Sequence, residues 1–190
     1  MRAFDIDTEA FHRFLRSMTM DLTVESYDTW DDLLVYMDGS AAVIGEMMLP
    51  ILEPTDYDTA LPHARDLGNA FQLTNFLRDI DEDLDRGRQY IPREDSERFG
   101  VDLTQRSVTP EVVGLMRFEI DRCRELYRSA QIGIDMLPDR SAKCVGAAHA
   151  LYGRILDKIE AQDYDVFTSR ASVSTAEKAT MVAKLLSPFS

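Results

Sequence analysis

Four polar residues in LGNAFQLTNFLRDIDEDLDRGRQYIP, from Leu67 to Pro92, recur at the spacing of one helix face. At about 100° per residue, Gln72, Asn75, Asp79 and Asp83 fall within an arc of roughly 80°. Asp79 and Asp83 lie one turn apart, and two like charges there destabilise a helix unless a cation sits between them. Hard divalent cations with oxygen ligands meet that need, above all Mg²⁺ shared with substrate phosphates, with Mn²⁺ as the alternative. Asn75 adds a neutral oxygen to the set, and Gln72 could coordinate or orient waters. Arg78 and Arg88 flank the stripe and could hold diphosphate oxygens bidentately.

The rest of the helix supports a separate reading for this stripe. Leu73, Leu77, Ile80 and Leu84 fill an apolar arc, while Asp81, Asp85 and Thr74 lie on a third side. A run such as DIDEDLDRGR is by itself an ordinary solvated helix end, and Asp-x-x-x-Asp alone is a weak signal. Two amides in line with the carboxylates, opposite a clean apolar face, make the metal reading the sharper one. Asp28 and Asp32 repeat the spacing in YDTWDD, but there they suit a helix start, where carboxylates meet a positive dipole end. Asp81 and Asp85 repeat it again, pointing away from the amides.

The elements around the motif read as helix throughout, with no alternating strand pattern. A first helix opens after Asp7 or Thr8 and carries Phe11, Phe14, Leu15 and Met18. A second starts near Asp31 and runs up to Pro50. Glu53 to Leu61 is a connector, and the motif helix spans roughly Ala64 to Arg86. Gly87 to Pro110 reads as a long polar loop with one short helical turn, placed as a lid over a site would be. Pro110 suits the first turn of the next helix, followed by helices from about Ser141 to Asp163 and from Thr175 to Leu186.

The 190 residues suit one helical domain covering 1–190, with 45% apolar and 29% charged side chains. No apolar run approaches the roughly 20 residues that cross a bilayer, and the first residues lack the pattern of a signal peptide. Cys123 and Cys144 sit in apolar helical settings, which suggests buried free thiols in a reducing cytoplasm. The net charge of −13 repels phosphate backbones, so nucleic acid is an unsuitable partner. The same charge opposes electrostatic docking on anionic lipid. An anionic substrate would need local neutralisation, by metal ions or a few placed arginines.

At the motif helix the sequence closely resembles the squalene/phytoene synthase family, bacterial phytoene synthases most of all. YMDGSAAVIGEMMLPIL, from Tyr36, resembles the family helix that lines the prenyl pocket, and ALYGRILDKIEAQDYDVFTSR, from Ala150, resembles a late family helix. The likeness runs over nearly the whole chain. It implies an all-α isoprenoid-synthase bundle and a cytoplasmic prenyltransferase of carotenoid biosynthesis, with peripheral membrane association as an added option. The implied reaction is head-to-head condensation of two geranylgeranyl diphosphates to phytoene, through a cyclopropyl diphosphate, with Mg²⁺. It implies Asp79, Asp83 and Asn75 as metal ligands, with Gln72 beside them, and Arg78 as a diphosphate contact. Tyr36 and Tyr152 would border the reacting carbons. Gly39, Ser40, Ala41, Ala42 and Gly45 leave room for a long hydrocarbon, or else allow close helix packing.

The family carries two Asp-rich motifs on facing helices, and the resemblance begins downstream of the first. Nothing between Met1 and Trp30 replaces it: Asp5 and Asp7 precede the first helix and Asp21 stands alone. The expectation is therefore a bundle truncated at its N-terminus, forming little phytoene by itself. The other readings are a second chain that supplies the first motif, or a noncatalytic helical assembly protein.

Overall fold

A computed structural model describes residues 6–185, so Asp5 and the expected helix end at Leu186 lie outside the described residues. The first helix, α1 (Thr8–Met20), starts where Asp7 accepts a hydrogen bond from the Glu9 amide at 2.9 Å. Helix α2 (Trp30–Met37) is opened by a capping box between Thr29 and Asp32, which accounts for the carboxylate at that position. One π-helical turn, Asp38–Ala42, joins it to α3 (Val43–Leu52). Next come α4 (Tyr57–Arg78), α5 (Ile80–Asp85) and α6 (Arg93–Phe99). Helix α7 (Pro110–Ile134) carries its proline in the first turn, behind a Thr109 cap, and α8 (Asp139–Ala161) and α9 (Thr175–Leu185) complete the chain. Among the described residues there is no strand, only one isolated bridge between Ser26 and Gln89.

The core lies where α4 packs on α7, with α3, α8 and the π turn closing round α4. Leu73, Leu77 and Ile80 are buried there, as the apolar arc required, and Leu84 is half-buried. Thr74 departs from the expected charged side. It is fully buried, bonding the Tyr127 hydroxyl at 2.8 Å and the Ala70 carbonyl at 2.7 Å, so its hydroxyl is satisfied inside the α4–α7 seam. Cys123 is buried beside it, whereas Cys144 is exposed, because the first turns of α8 bury no residue.

Several helix limits differ from the sequence pattern. The second helix continues through Pro50 to Leu52, and α4 begins at Tyr57 with Pro62 inside it. From Trp30 to Leu52 the helical run is 23 residues, long and apolar enough to cross a membrane by length and composition. Asp31 and Asp32 stand at its start, and two further carboxylates interrupt it. Asp38 and Glu46 are held by Arg13 of α1 and Arg65 of α4, at 2.5 to 2.9 Å, so this run is tied into the bundle by ion pairs. The expected lid is packed structure instead: α6 carries buried Asp95 and Ser96, and Ile91 and Leu103 are core residues.

The small residues near Tyr36 resolve toward close packing. A Cβ added at Gly39 would overlap the Arg13 carbonyl of α1, and one at Gly45 the Ala64 carbonyl of α4. Ala41 and Ala42 are buried in the same contacts.

Candidate functional site

The motif helix is interrupted at Asp79. Asp79 leaves α-helical geometry, with φ −104° and ψ 16°, and so separates α4 from α5. The backbone bonds nevertheless run straight through, from the Asp79 amide to the Asn75 carbonyl and from the Asp83 amide to the Asp79 carbonyl, each 2.9 Å. Such bridge-region residues are uncommon and recur at active sites. The kink keeps Gln72, Asn75, Asp79 and Asp83 on one side, all half-buried.

Two guanidinium groups grip Asp79. Arg78 donates at 2.7 and 2.5 Å, and Arg170 at 2.7 and 3.0 Å, each using both carboxylate oxygens. Burial raises the Asp79 carboxyl, but the two arginines outweigh it and hold it below the usual carboxylate range. Asp83 is treated differently. Its side chain is 13% exposed and meets Arg86 at 3.5 Å. Burial, and then the neighbouring charge of Asp79, push its carboxyl up to about 6.

Two aromatic groups border this stripe. By helical rotation Phe71 precedes Asn75 on one flank and Phe76 follows Gln72 on the other. Phe71 packs on Tyr152, ring centroids 4.4 Å apart, while Phe76 stacks on Tyr90 at 4.0 Å. Tyr36 joins the second group, 5.8 Å from Tyr90 and 6.4 Å from Phe76. Tyr36 and Tyr152 therefore stand on opposite flanks. Tyr36 is buried, and burial pushes its phenol well above the ordinary value. Tyr152 instead lines an open cleft of about 360 Å³ with Arg78, Arg170, Leu151, Ile155 and Lys178.

Arg88, expected at the diphosphate, is already engaged. It donates to the Asp21 carbonyl at 2.8 Å and to the Tyr90 hydroxyl at 3.1 Å, tying the segment after α5 to the end of α1. The outer pair is likewise structural: Arg106 bridges Asp81 and Asp85, at 2.8 and 2.5 Å. Arg170 had no role in the sequence reading, although it closes the late matching stretch. Its importance depends on how the connector between α8 and α9 folds back, which residue spacing does not encode.

A Ser–His–Asp grouping also occurs, with its order reversed from that of nucleophile activation. The Ser129 hydroxyl donates to Asp66 at 2.5 Å, which leaves it an acceptor toward His63 Nδ1 at 2.8 Å. A serine held this way transfers no proton to the histidine.

A divalent cation fits the stripe only as part of a larger complex. Among the described residues no three carboxylate, imidazole or thiol groups converge on one point. Mg²⁺ in phosphate sites characteristically takes one or two carboxylates and completes its shell with substrate oxygens and water. Asp83, half-buried and met by exposed Arg86 at 3.5 Å, is the group that such a cation would satisfy.

The profile of the family described as squalene/phytoene synthase matches residues 1–177. The chain belongs to the squalene/phytoene synthase family. It is 38% identical over 189 residues to phytoene synthase 3 of Zea mays, covering 95% of this chain and 44% of that one. It is 37% identical over 190 residues to phytoene synthase of Arthrospira platensis, covering 92% of this chain and 62% of that one. Thus the chain spans about half the length of the curated relatives it matches. A dehydrosqualene synthase solved with a ligand superposes with a TM-score of 0.89 at 28% identity, covering 96% of this chain and 65% of the other. YisP from Bacillus subtilis gives 0.86 at 29% identity, covering 96% and 73%. The all-α isoprenoid-synthase architecture is thereby shown.

Proposed function

We propose that this chain forms one wall of a site that condenses two geranylgeranyl diphosphates head to head into phytoene, through a cyclopropyl diphosphate. The observation that carries the reading is the kinked stripe, with two arginines on Asp79, an uncompensated Asp83 and aromatic rings on both flanks. Relatives named phytoene synthase, matched over most of this chain, support the same substrate class.

Diphosphate leaves only when the charge developing on it is neutralised. Mg²⁺, held by Asp79, Asp83 and Asn75 together with the substrate's own oxygens, would supply part of that neutralisation, and Mn²⁺ could replace it. Arg78, paired with Asp79, lines the cleft from a fixed helical position, where its remaining donors would meet the leaving diphosphate. The allylic carbocation left behind must be kept from water. The cleft wall of Leu151 and Ile155 is apolar, and the face of Tyr152 can stabilise a passing cation through its quadrupole. Tyr36 would act from the other flank through its contact with Phe76, by fixing that ring rather than by touching the carbocation.

The deciding experiment is conversion of labelled geranylgeranyl diphosphate, with and without Mg²⁺, by the chain alone and with a polypeptide carrying a first Asp-rich helix. Mg²⁺-dependent phytoene in the second case, lost in Asp83→Ala, is the expected result. No phytoene under either condition would overturn the proposal.

A further inference from the structure

One of the two stripe carboxylates is already occupied. Both Asp79 oxygens accept from Arg78 and again from Arg170, so a single negative charge faces two positive ones at hydrogen-bond distance. A divalent cation arriving alone finds both oxygens of this ligand engaged by guanidiniums. We propose that Arg170 is a latch on Asp79 which a diphosphate opens, so that cation and diphosphate bind as a coupled pair. The proposal rests on the metal–diphosphate reading of the stripe and adds to it the order in which the groups become available.

The two arginines differ in freedom. Arg78 is the residue next to Asp79 on α4, and its side chain is 15% exposed. Arg170 reaches in from the connector between α8 and α9, 91 residues away, and its side chain is 51% exposed. It also has a second partner within reach, Glu82 at 3.4 Å. Arg78 thus stays in place at the cleft, whereas Arg170 can swing away without leaving its own charge buried.

A diphosphate offers Arg170 a better partner than a lone carboxylate. Its oxygens match the guanidinium fork and carry more negative charge. Arg170 and Arg78 both line the 360 Å³ cleft beside Tyr152, so an anion entering there meets Arg170 without any rearrangement of helices. As Arg170 turns to the anion, the Asp79 oxygens it held become free for a cation. Each ligand then raises the affinity of the other by the same factor, as linkage requires.

The test uses the 190-residue chain, with Mn²⁺ as a paramagnetic probe and inorganic pyrophosphate as the anion. Removing the latch should let Arg170→Gln bind Mn²⁺ alone about tenfold more tightly than the parent, a difference of about 1.4 kcal/mol. Pyrophosphate should then enhance Mn²⁺ binding less in the variant than in the parent. Arg170→Lys keeps the charge without the paired contact and should fall between the two. If Arg170→Gln does not fold, as judged by circular dichroism, the lysine variant carries the same comparison. Asp79→Asn separates the two levels of the argument. Should it leave Mn²⁺ binding untouched, the stripe itself has been misread. Should it abolish binding while the Arg170 variants bind Mn²⁺ no more tightly than the parent, the latch is overturned and the stripe stands.

Discussion

Asp79 and Asp83 stand one turn apart on the same helix face, yet Asp79 is gripped by two guanidiniums and Asp83 is left almost alone. Arg86 at 3.5 Å is the nearest cation to Asp83, too distant and too exposed to offset the loss of hydration. A carboxylate kept in this way costs stability and is retained where function uses it. Asp83→Asn should therefore raise the unfolding midpoint of the chain at neutral pH, by on the order of 1 kcal/mol. The same variant should lose affinity for Mn²⁺ in the presence of pyrophosphate. Denaturant unfolding and probe binding check the two halves, and a destabilised Asp83→Asn would contradict the account.

Much of this arrangement was legible in the sequence. The 3.6-residue period put Leu73, Leu77 and Ile80 in the core and set the Gln72–Asn75–Asp79–Asp83 stripe apart from it. Asp7 and Pro110 marked their helix starts correctly, because both signals are local. The kink at Asp79 was not legible, since its backbone bonds remain helical and only the dihedrals change. Nor could periodicity assign Thr74, whose burial depends on Tyr127 supplying a hydroxyl from another helix. The run from Gly87 to Pro110 is polar in composition. Ile91 and Leu103 nevertheless turn into the core, with Phe99 and Val101 packed against it and Val108 left exposed, so composition understated how firmly it packs.

Gly45 tests whether the small residues of α3 serve packing. Alanine there gains about 1 kcal/mol of helix propensity over glycine. The added methyl would meet the Ala64 backbone carbonyl, which cannot rotate aside as a side chain could. Overpacking of this kind costs roughly 1–3 kcal/mol, so the clash should win. Gly45→Ala should lower the thermal midpoint. An unchanged or higher midpoint would mean that α3 and α4 can separate freely.

Glu119 gives the chain a pH dependence of stability away from the candidate site. It is fully buried and shares the Arg122 guanidinium with Asp95, at 2.9 and 2.8 Å. Burial pushes its carboxyl up to about 8 despite the arginine. The folded state thus holds a proton that the unfolded state releases near the ordinary glutamate value. Its contribution is complete below the unfolded pKa and is lost as pH rises through about 8, with a slope of at most about 1.4 kcal/mol per pH unit. Glu119→Gln should remove this component, so its stability curve should be flatter between about pH 4.5 and about pH 8. Parallel curves for parent and variant would show that Glu119 remains ionised in the fold.

Arg88 separates a diphosphate contact from a structural tie. Its two terminal nitrogens donate to the Asp21 carbonyl and the Tyr90 hydroxyl, and its distance from the Asp21 carboxylate is 3.6 Å. Tyr90 in turn stacks on Phe76, so Arg88 fixes the ring that borders the stripe on the Tyr36 flank. Removing it should loosen the join between the end of α1 and the segment after α5. Arg88→Ala is therefore expected to lower the thermal midpoint while leaving pyrophosphate affinity, measured with Mn²⁺ present, within about twofold of the parent. Arg78→Ala should do the reverse and weaken pyrophosphate by more than about tenfold, since Arg78 lines the cleft beside Asp79. If Arg88→Ala lost pyrophosphate as severely as Arg78→Ala, Arg88 would have to leave Asp21 and Tyr90 to reach the ligand. The segment after α5 would then be a moving part of the site.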